Sequence, residues 1–390
     1  MANISSARVM FLPKVYYFFA YGAMASLVPY LVIYYQSLGL SGSQIGLLTG
    51  IPTLMSLLST PVWGGMADAT SKKRLLLGAS ILLSMTMVWI LSFTTAFLWI
   101  ALVVILYAFN SAPVMPLVDS TVMDLLGEHK DQYGKQRLWG AVGWGLSAPI
   151  IGWLIERNGL QWSFWGYLIQ TAVVLVVVLN LPVSHASMGG RYWQGLRGLL
   201  QDTRWRLFLL VVFICGIGSS ILTNYLFLRL SDLGASKTLM GTALAVATLS
   251  ELPVFFFSGK LMKRWRARSL LVLSLFVYVL RALAVSFLLT PWLVLPVQLL
   301  HGLTFSITWV AGVSYAREIA PPGMGATAQS LFQGAFFGLG GSVGALVGGV
   351  LYQEVGSALL FRWMALVVLA AALFFLWTVR SSRSEQPSSG

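Results

Sequence analysis

Thr248-Leu-Ser-Glu-Leu-Pro253 sets one carboxylate, Glu251, in the middle of an otherwise apolar run. Working outward, the next two apolar runs each hold one further ionisable group. These are Arg281, in Val279-Leu-Arg-Ala-Leu283, and His301, in Gln298-Leu-Leu-His-Gly302. Runs of roughly 20 apolar residues are long enough to cross a hydrocarbon core of about 30 Å. An ionisable group at bilayer depth costs about 2.5 kcal/mol or more, so it is rare and marks function by default. Three consecutive spans carrying one each read as the working centre of a polytopic membrane protein.

The whole chain agrees. Of its 390 residues 57% are hydrophobic and 9% charged, whereas soluble domains carry about 25% charged residues. The net charge of +13 does not imply nucleic acid, because the Lys and Arg sit in short loops. The single cysteine, Cys215, rules out an intrachain disulfide. Arg8 and Lys14 precede an apolar stretch that runs to about Tyr35 without a small-residue cleavage site. That stretch is expected to be a retained first span rather than a signal peptide.

Twelve spans are expected, at 12–35, 45–66, 75–93, 97–120, 137–155, 162–181, 207–228, 240–259, 269–289, 293–314, 328–351 and 358–379. An even count puts both termini on one side. The basic loop residues crowd that side, against only Arg157, Arg229, Lys237 and Arg362 on the other. By the positive-inside rule both termini are expected in the cytoplasm.

The expected organisation is an N-terminal six-helix half (1–181), a cytoplasmic linker (182–206), a C-terminal six-helix half (207–380) and a disordered tail (381–390). The linker holds Gly189-Gly190 and then the basic amphipathic Arg191-Tyr-Trp-Gln-Gly-Leu-Arg197, a hinge followed by an interfacial helix. The halves repeat. Gly64-Gly-Met-Ala-Asp68 with Lys72-Lys73-Arg74 corresponds to Gly259-Lys-Leu-Met-Lys263 with Arg264, and Gly140-Ala-Val-Gly-Trp-Gly145 to Gly334-Ala-Phe-Phe-Gly-Leu-Gly340. Both pairs are about 195 residues apart. Duplicated six-span halves with a site between them define one large class of transporters.

Depth along the spans places Glu251 about 16 Å from the outer face, and Arg281 and His301 about 13 Å, at 1.5 Å per residue. All three can meet near the midplane. Such a cluster can take up and release a proton; the plainer reading is an ion pair that fixes helix packing. The first half has its own pair, Asp119 and Arg137, across the turn between spans 4 and 5. Pro113 and Pro116 interrupt span 4 just before Asp119. Trp144 follows Arg137 by two helical turns and points the same way. A carboxylate, a guanidinium and an aromatic plate on one surface can grip a polar organic solute; an interface charge pair is the alternative.

Gly64, Asp68, Lys72 and Arg74 read as a conformational latch. Gly340-Gly-Ser342-Val-Gly344 matches the hydrolase elbow pattern, but it lies in an apolar Gly-rich run with no strand before it. Gly340, Gly344 and Gly348 at four-residue spacing indicate close helix packing instead. No metal-ligand spacing, phosphate loop or dinucleotide fingerprint is present, so no cofactor, metal or enzymatic activity is expected.

The Gly64-x-x-x-Asp68 loop with its basic cluster resembles the signature of the major facilitator superfamily, without the usual basic residue directly after the Asp. Tyr133-Gly-Lys-Gln-Arg137-Leu-Trp-Gly-Ala-Val-Gly-Trp144 resembles the sugar-holding segment of the lactose permease-like branch. In that resemblance Asp119 matches the sugar-binding glutamate, one methylene shorter. Glu251, Arg281 and His301 match the branch's C-terminal carboxylate, arginine and histidine. Where the branch places its proton-carrying glutamate, three residues after the histidine, this chain has Thr304. The phenylpropionate permease group is more similar still, at Tyr133–Gly140, the Glu251 segment, Arg281 and Gln298-x-Leu-His301-x-x-Thr304-Phe305.

The resemblance implies an all-α, twelve-helix fold in two pseudo-symmetric halves and a monomer in the inner or plasma membrane. It implies a proton-linked importer of a small organic solute, with an aromatic acid as one candidate; on the residues Asp119, Arg137 and Trp144 a sugar and a nucleoside are candidates too. Glu251, His301 and Arg281 would couple the proton, and Asp119, Arg137 and Trp144 would bind the solute. The expected partners are that solute, protons and membrane lipids, and no nucleic acid. An exporter of amphipathic compounds and a receptor that binds without transport stay open as alternatives.

Overall fold

The computed structural model describes residues 6–70, 73–182, 201–321 and 324–384. Among the described residues every regular element is a helix. Hydrocarbon offers the backbone no hydrogen-bond partner, so each span must satisfy its own N–H and C=O groups, and a helix does so. Large apolar side chains such as Leu98, Phe256 and Leu289 lie exposed, as a lipid solvent allows.

Among the described residues ten helices are long and apolar enough to cross a membrane. The last of them, Thr327–Leu376, is 50 residues long and contains both final expected spans, which meet at Gly356. The helix Gly42–Thr70, 29 residues long, contains the expected second span. The chain is thus an all-α polytopic membrane protein of twelve transmembrane helices. The final helix continues as backbone to Ser384, into the stretch expected as tail. The linker features Gly189-Gly190 and Arg191–Arg197 lie outside the described residues.

The sequence repeat reappears in backbone conformation. Gly39, in the turn after the first span, has φ 75°, and Gly234, in the turn after the seventh, has φ 72°. Gly159, after the fifth span, has φ 93° and ψ 167°; Gly356, after the eleventh, has φ 77° and ψ 171°. These are left-handed conformations that glycine adopts without a Cβ penalty. The two halves therefore turn at corresponding places with corresponding dihedrals, which is the pseudo-symmetry that the motifs predicted.

The chain divides into two compact units, residues 1–189 with 235–245, and residues 190–234 with 246–390. In the first, Ser6–Ser37 packs on Tyr133–Asn158 and Gln161–Asn180, around a core that includes Tyr16, Tyr17, Leu77, Val118 and Val178. Close approach needs glycine: a Cβ on Gly143 would run into the Phe18 carbonyl. Residues 235–245 join this unit through Glu156, whose Oε2 accepts from the backbone N–H of Lys237 at 2.5 Å and of Thr238 at 3.3 Å.

In the second unit Thr203–Asp232 packs on Gly341–Ser384 and on the preceding π-helical segment Gly334–Gly340. A Cβ at Gly340 would stand 2.6 Å from the Phe213 carbonyl, and one at Gly344 2.7 Å from that of Ile217. The Gly-x-Ser-x-Gly run is a packing surface. Its Ser342 is 3% exposed and donates to the carbonyl of Gly338 at 2.8 Å.

Candidate functional site

Each unit brings ionisable side chains together inside its apolar helices. In the first, the expected fourth span breaks. A helix ends at Ser111, and a separate one, Val114–Leu126, begins after Pro113 and carries Asp119. Proline has no N–H to donate and clashes with the preceding turn, so a break is expected here. The short 3-10 segment Gly127–Gln132 then reverses the chain and delivers Arg137 on Tyr133–Asn158.

The pair closes as expected, with Arg137 Nη1 2.9 Å from Asp119 Oδ2 and side chains 40% and 27% exposed. Three tyrosines complete the cluster. Tyr17 donates to Asp119 Oδ1 at 2.6 Å. Arg137 Nη1 also donates to the Tyr133 hydroxyl at 3.1 Å, and Nη2 to the Tyr21 hydroxyl at 2.5 Å. The guanidinium lies 5.5 Å from the centre of the Tyr21 ring, within cation–π range.

The sequence reading missed Tyr17 and Tyr21, although their four-residue spacing puts both on one face of the first helix. Trp144 is half-buried two turns beyond Arg137. No hydrogen bond or ring contact ties it to the charge pair among the described residues.

The second unit brings Glu251, His301 and Arg281 together, with the histidine in the middle. His301 Nε2 is 2.8 Å from Glu251 Oε1, and His301 Nδ1 is 2.9 Å from Arg281 Nη1. Arg281 is 3% exposed. It also donates to Thr304 Oγ1 at 3.1 Å and, through Nη2, to Gln298 Oε1 at 2.6 Å. Thr304 therefore stands as a neutral acceptor for the buried arginine, at the position where the resembled branch has its glutamate. Gln298 was legible only as part of a motif. Its role depends on which way its amide points.

A glycine sets the register of this cluster. A Cβ on Gly302 would meet the Ser250 carbonyl, and the Gly302 N–H donates to Ser250 Oγ at 2.9 Å. The two backbones touch beside the residues whose side chains must meet, Glu251 and His301. A π-helical turn, Gly302–Ser306, follows at once; such turns recur at functional sites.

Hydrogen-bond roles define what the cluster can do. Arginine only donates, so His301 Nδ1 must accept. While that bond stands, the imidazole cannot carry two protons. One proton sits between Nε2 and Glu251. The expected latch is described only in part. Arg74 donates to the Leu181 carbonyl at 3.0 Å, while Gly64, Asp68 and Lys72 lie outside the residues whose side chains are described.

A twelve-helix chain with matched halves and a polar cluster in each half defines the class of secondary transporters. Comparison with known proteins agrees. The crystal structure of the nucleoside transporter NupG superposes with a TM-score of 0.81 at 16% identity, covering 94% of this chain and 98% of that one. The maltose permease of Geobacillus stearothermophilus is 30% identical over 381 residues, 95% of each chain. A protein of Escherichia coli K12 named "Probable 3-phenylpropionic acid transporter" is 25% identical over 383 residues, 94% of this chain and 97% of that one. The model of the MFS_1 like family matches residues 11–363. The chain belongs to that family and is a major facilitator transporter of the membrane, not an enzyme.

Proposed function

We propose that this protein is a proton-coupled symporter of a small organic solute, working by alternating access. The observation that carries the reading is the Glu251–His301–Arg281 chain, with contacts of 2.8 Å and 2.9 Å. Groups costly to bury are placed in three spans and joined in series. A packing pair needs only two charges, and here a titratable carboxylate is held by a histidine whose other nitrogen is occupied. Glu251 carries the proton, His301 positions it, and Arg281 holds His301 in one tautomer.

The solute is held by Asp119 and Arg137 with Trp144 beside them, and with Tyr17, Tyr21 and Tyr133 setting the fork. Its class is that of the relatives' named cargoes: a sugar such as maltose, an aromatic acid or a nucleoside. The protein works as a monomer in the plasma or inner membrane, with both termini cytoplasmic and Gly64, Asp68, Lys72 and Arg74 as its latch.

The test uses proteoliposomes with an entrapped pH dye, challenged in turn with maltose, 3-phenylpropionate and a nucleoside. Wild type takes up protons with one of them. Glu251→Gln loses proton influx and accumulation and keeps solute exchange. A Glu251→Gln protein that concentrates solute as well as wild type rules the assignment out.

A further inference from the structure

The second unit carries an aromatic wall that the proton-coupling site does not use. His301, Phe305 and Trp309 follow one another at four-residue spacing, on one face of the span. Their rings lie nearly parallel: His301–Phe305 at 5.7 Å and 11°, Phe305–Trp309 at 6.3 Å and 23°. Phe337, on the neighbouring span, turns a corner against them. Its ring is 6.4 Å from Phe305 at 51° and 5.6 Å from Trp309 at 47°. Its neighbour Phe336 is 1% exposed, whereas Phe337 is 46% exposed.

Three observations give this wall a direction and a chemistry. Glu251 and His301 are partly exposed, at 19% and 22%, and half-open polar groups in a span face protein-lined water rather than lipid. Phe305 and Trp309 continue that same face. Secondly, the only two π-helical segments among the described residues, Gly302–Ser306 and Gly334–Gly340, contain Phe305 and Phe337. Thirdly, the wall is apolar. Ser306 and Thr308 beside it are buried, and Thr308 is bonded to Ser274 at 3.0 Å. A flat aromatic ring matches its stacked and tilted faces.

We infer that Phe305, Trp309 and Phe337 form a subsite for an aromatic ring of the solute. The inference rests on the proposed transport function and adds the chemical class of the cargo. Arylalkanoic acids and nucleosides both carry such a ring.

Equilibrium binding to the purified full-length protein tests it, with 3-phenylpropionate, its ring-saturated analogue 3-cyclohexylpropionate, adenosine and maltose as probes. An aromatic probe should bind. If that probe is 3-phenylpropionate, the cyclohexyl analogue should bind about tenfold more weakly. Phe337→Leu and Trp309→Leu keep apolar bulk and remove the ring face; each should weaken the aromatic probe about five- to tenfold. Phe337 is half-exposed, so its variant folds even if loss of Trp309 disturbs packing. The inference is overturned by equal binding of the cyclohexyl analogue, by unchanged binding in Phe337→Leu, or by binding of maltose alone or of no probe. Proton influx driven by maltose and abolished by Glu251→Gln would remove this subsite and leave proton-coupled transport standing.

Discussion

Arg281 reaches Glu251 through His301 rather than directly: its Nη1 is 2.9 Å from His301 Nδ1, and His301 Nε2 is 2.8 Å from the carboxylate. The histidine is a bridge with fixed polarity. One nitrogen accepts from a group that can only donate, so the other faces the carboxylate with a single shared proton.

That polarity makes His301 replaceable by an amide. In His301→Gln the carbonyl oxygen can accept from Arg281 while the amide nitrogen donates to Glu251. Proton-coupled uptake should fall less than tenfold. His301→Ala leaves both partners without the bridge, a loss of about 3 kcal/mol, and should cut uptake roughly a hundredfold. Measured accumulation in proteoliposomes separates the two. Equal loss in both variants would mean that the imidazole itself carries the transported proton.

Arg137 holds Asp119, Tyr133 and Tyr21 with two Nη atoms. A lysine ammonium lacks that planar fork. Arg137→Lys should weaken solute binding by about 1.5–3 kcal/mol, roughly ten- to a hundredfold, with the protein still folded. Tyr21→Phe removes one neutral acceptor and should cost about 1 kcal/mol. Equilibrium binding of the transported solute is the check. Wild-type affinity in Arg137→Lys would return the cluster to an interface charge pair.

Gly302 touches Ser250 backbone to backbone. Gly302→Ala should force the two spans apart and destabilise the protein by about 1–3 kcal/mol, with coupling lost more than binding. Gly325 is a matched control, since nothing lies within 4 Å of a Cβ built there. Gly325→Ala should be neutral or stabilising by about 0.4–1 kcal/mol. Thermal unfolding of both variants in detergent measures the contrast, and a Gly302→Ala midpoint equal to that of wild type contradicts the packing argument.

Glu156 accepts from the first N–H groups of Lys237–Phe256, where a carboxylate satisfies orphan donors and the helix dipole together. Glu156→Ala should lower stability by about 1 kcal/mol. Glu156→Gln, which keeps an acceptor and loses the charge, should fall between. The unfolding midpoints, read at low and high salt, should converge for Gln and wild type as salt rises.

Much of this was legible in the residues. Charge rarity inside apolar runs singled out Glu251, Arg281 and His301, and counting depth at 1.5 Å per residue put them at one level. The spacing of Asp119 and Arg137, just after two prolines, announced a pair across a turn. Tyr17, Tyr21, Tyr133 and Gln298 were not singled out, because a tyrosine or glutamine in an apolar run has no signature separating a functional hydroxyl or amide from a packed one. Phe305 and Phe337 were hidden for the same reason in a chain with 22 phenylalanines.

The sequence by itself determined that this chain spans a membrane twelve times in two repeated halves. The reason is physical: hydrocarbon thickness sets the length of each apolar run, and lipid forces each run into a helix. It also determined which charges lie deep. Only the tertiary structure decided their partners: that His301 stands between Glu251 and Arg281, that Thr304 and Gln298 complete the arginine, and that Phe337 is half-exposed while Phe336 is buried. Those outcomes depend on how far each helix is rotated about its own axis and on where a π turn shifts its face. Rotations of a fraction of a turn separate a contact near 3 Å from none, and hydropathy does not encode them.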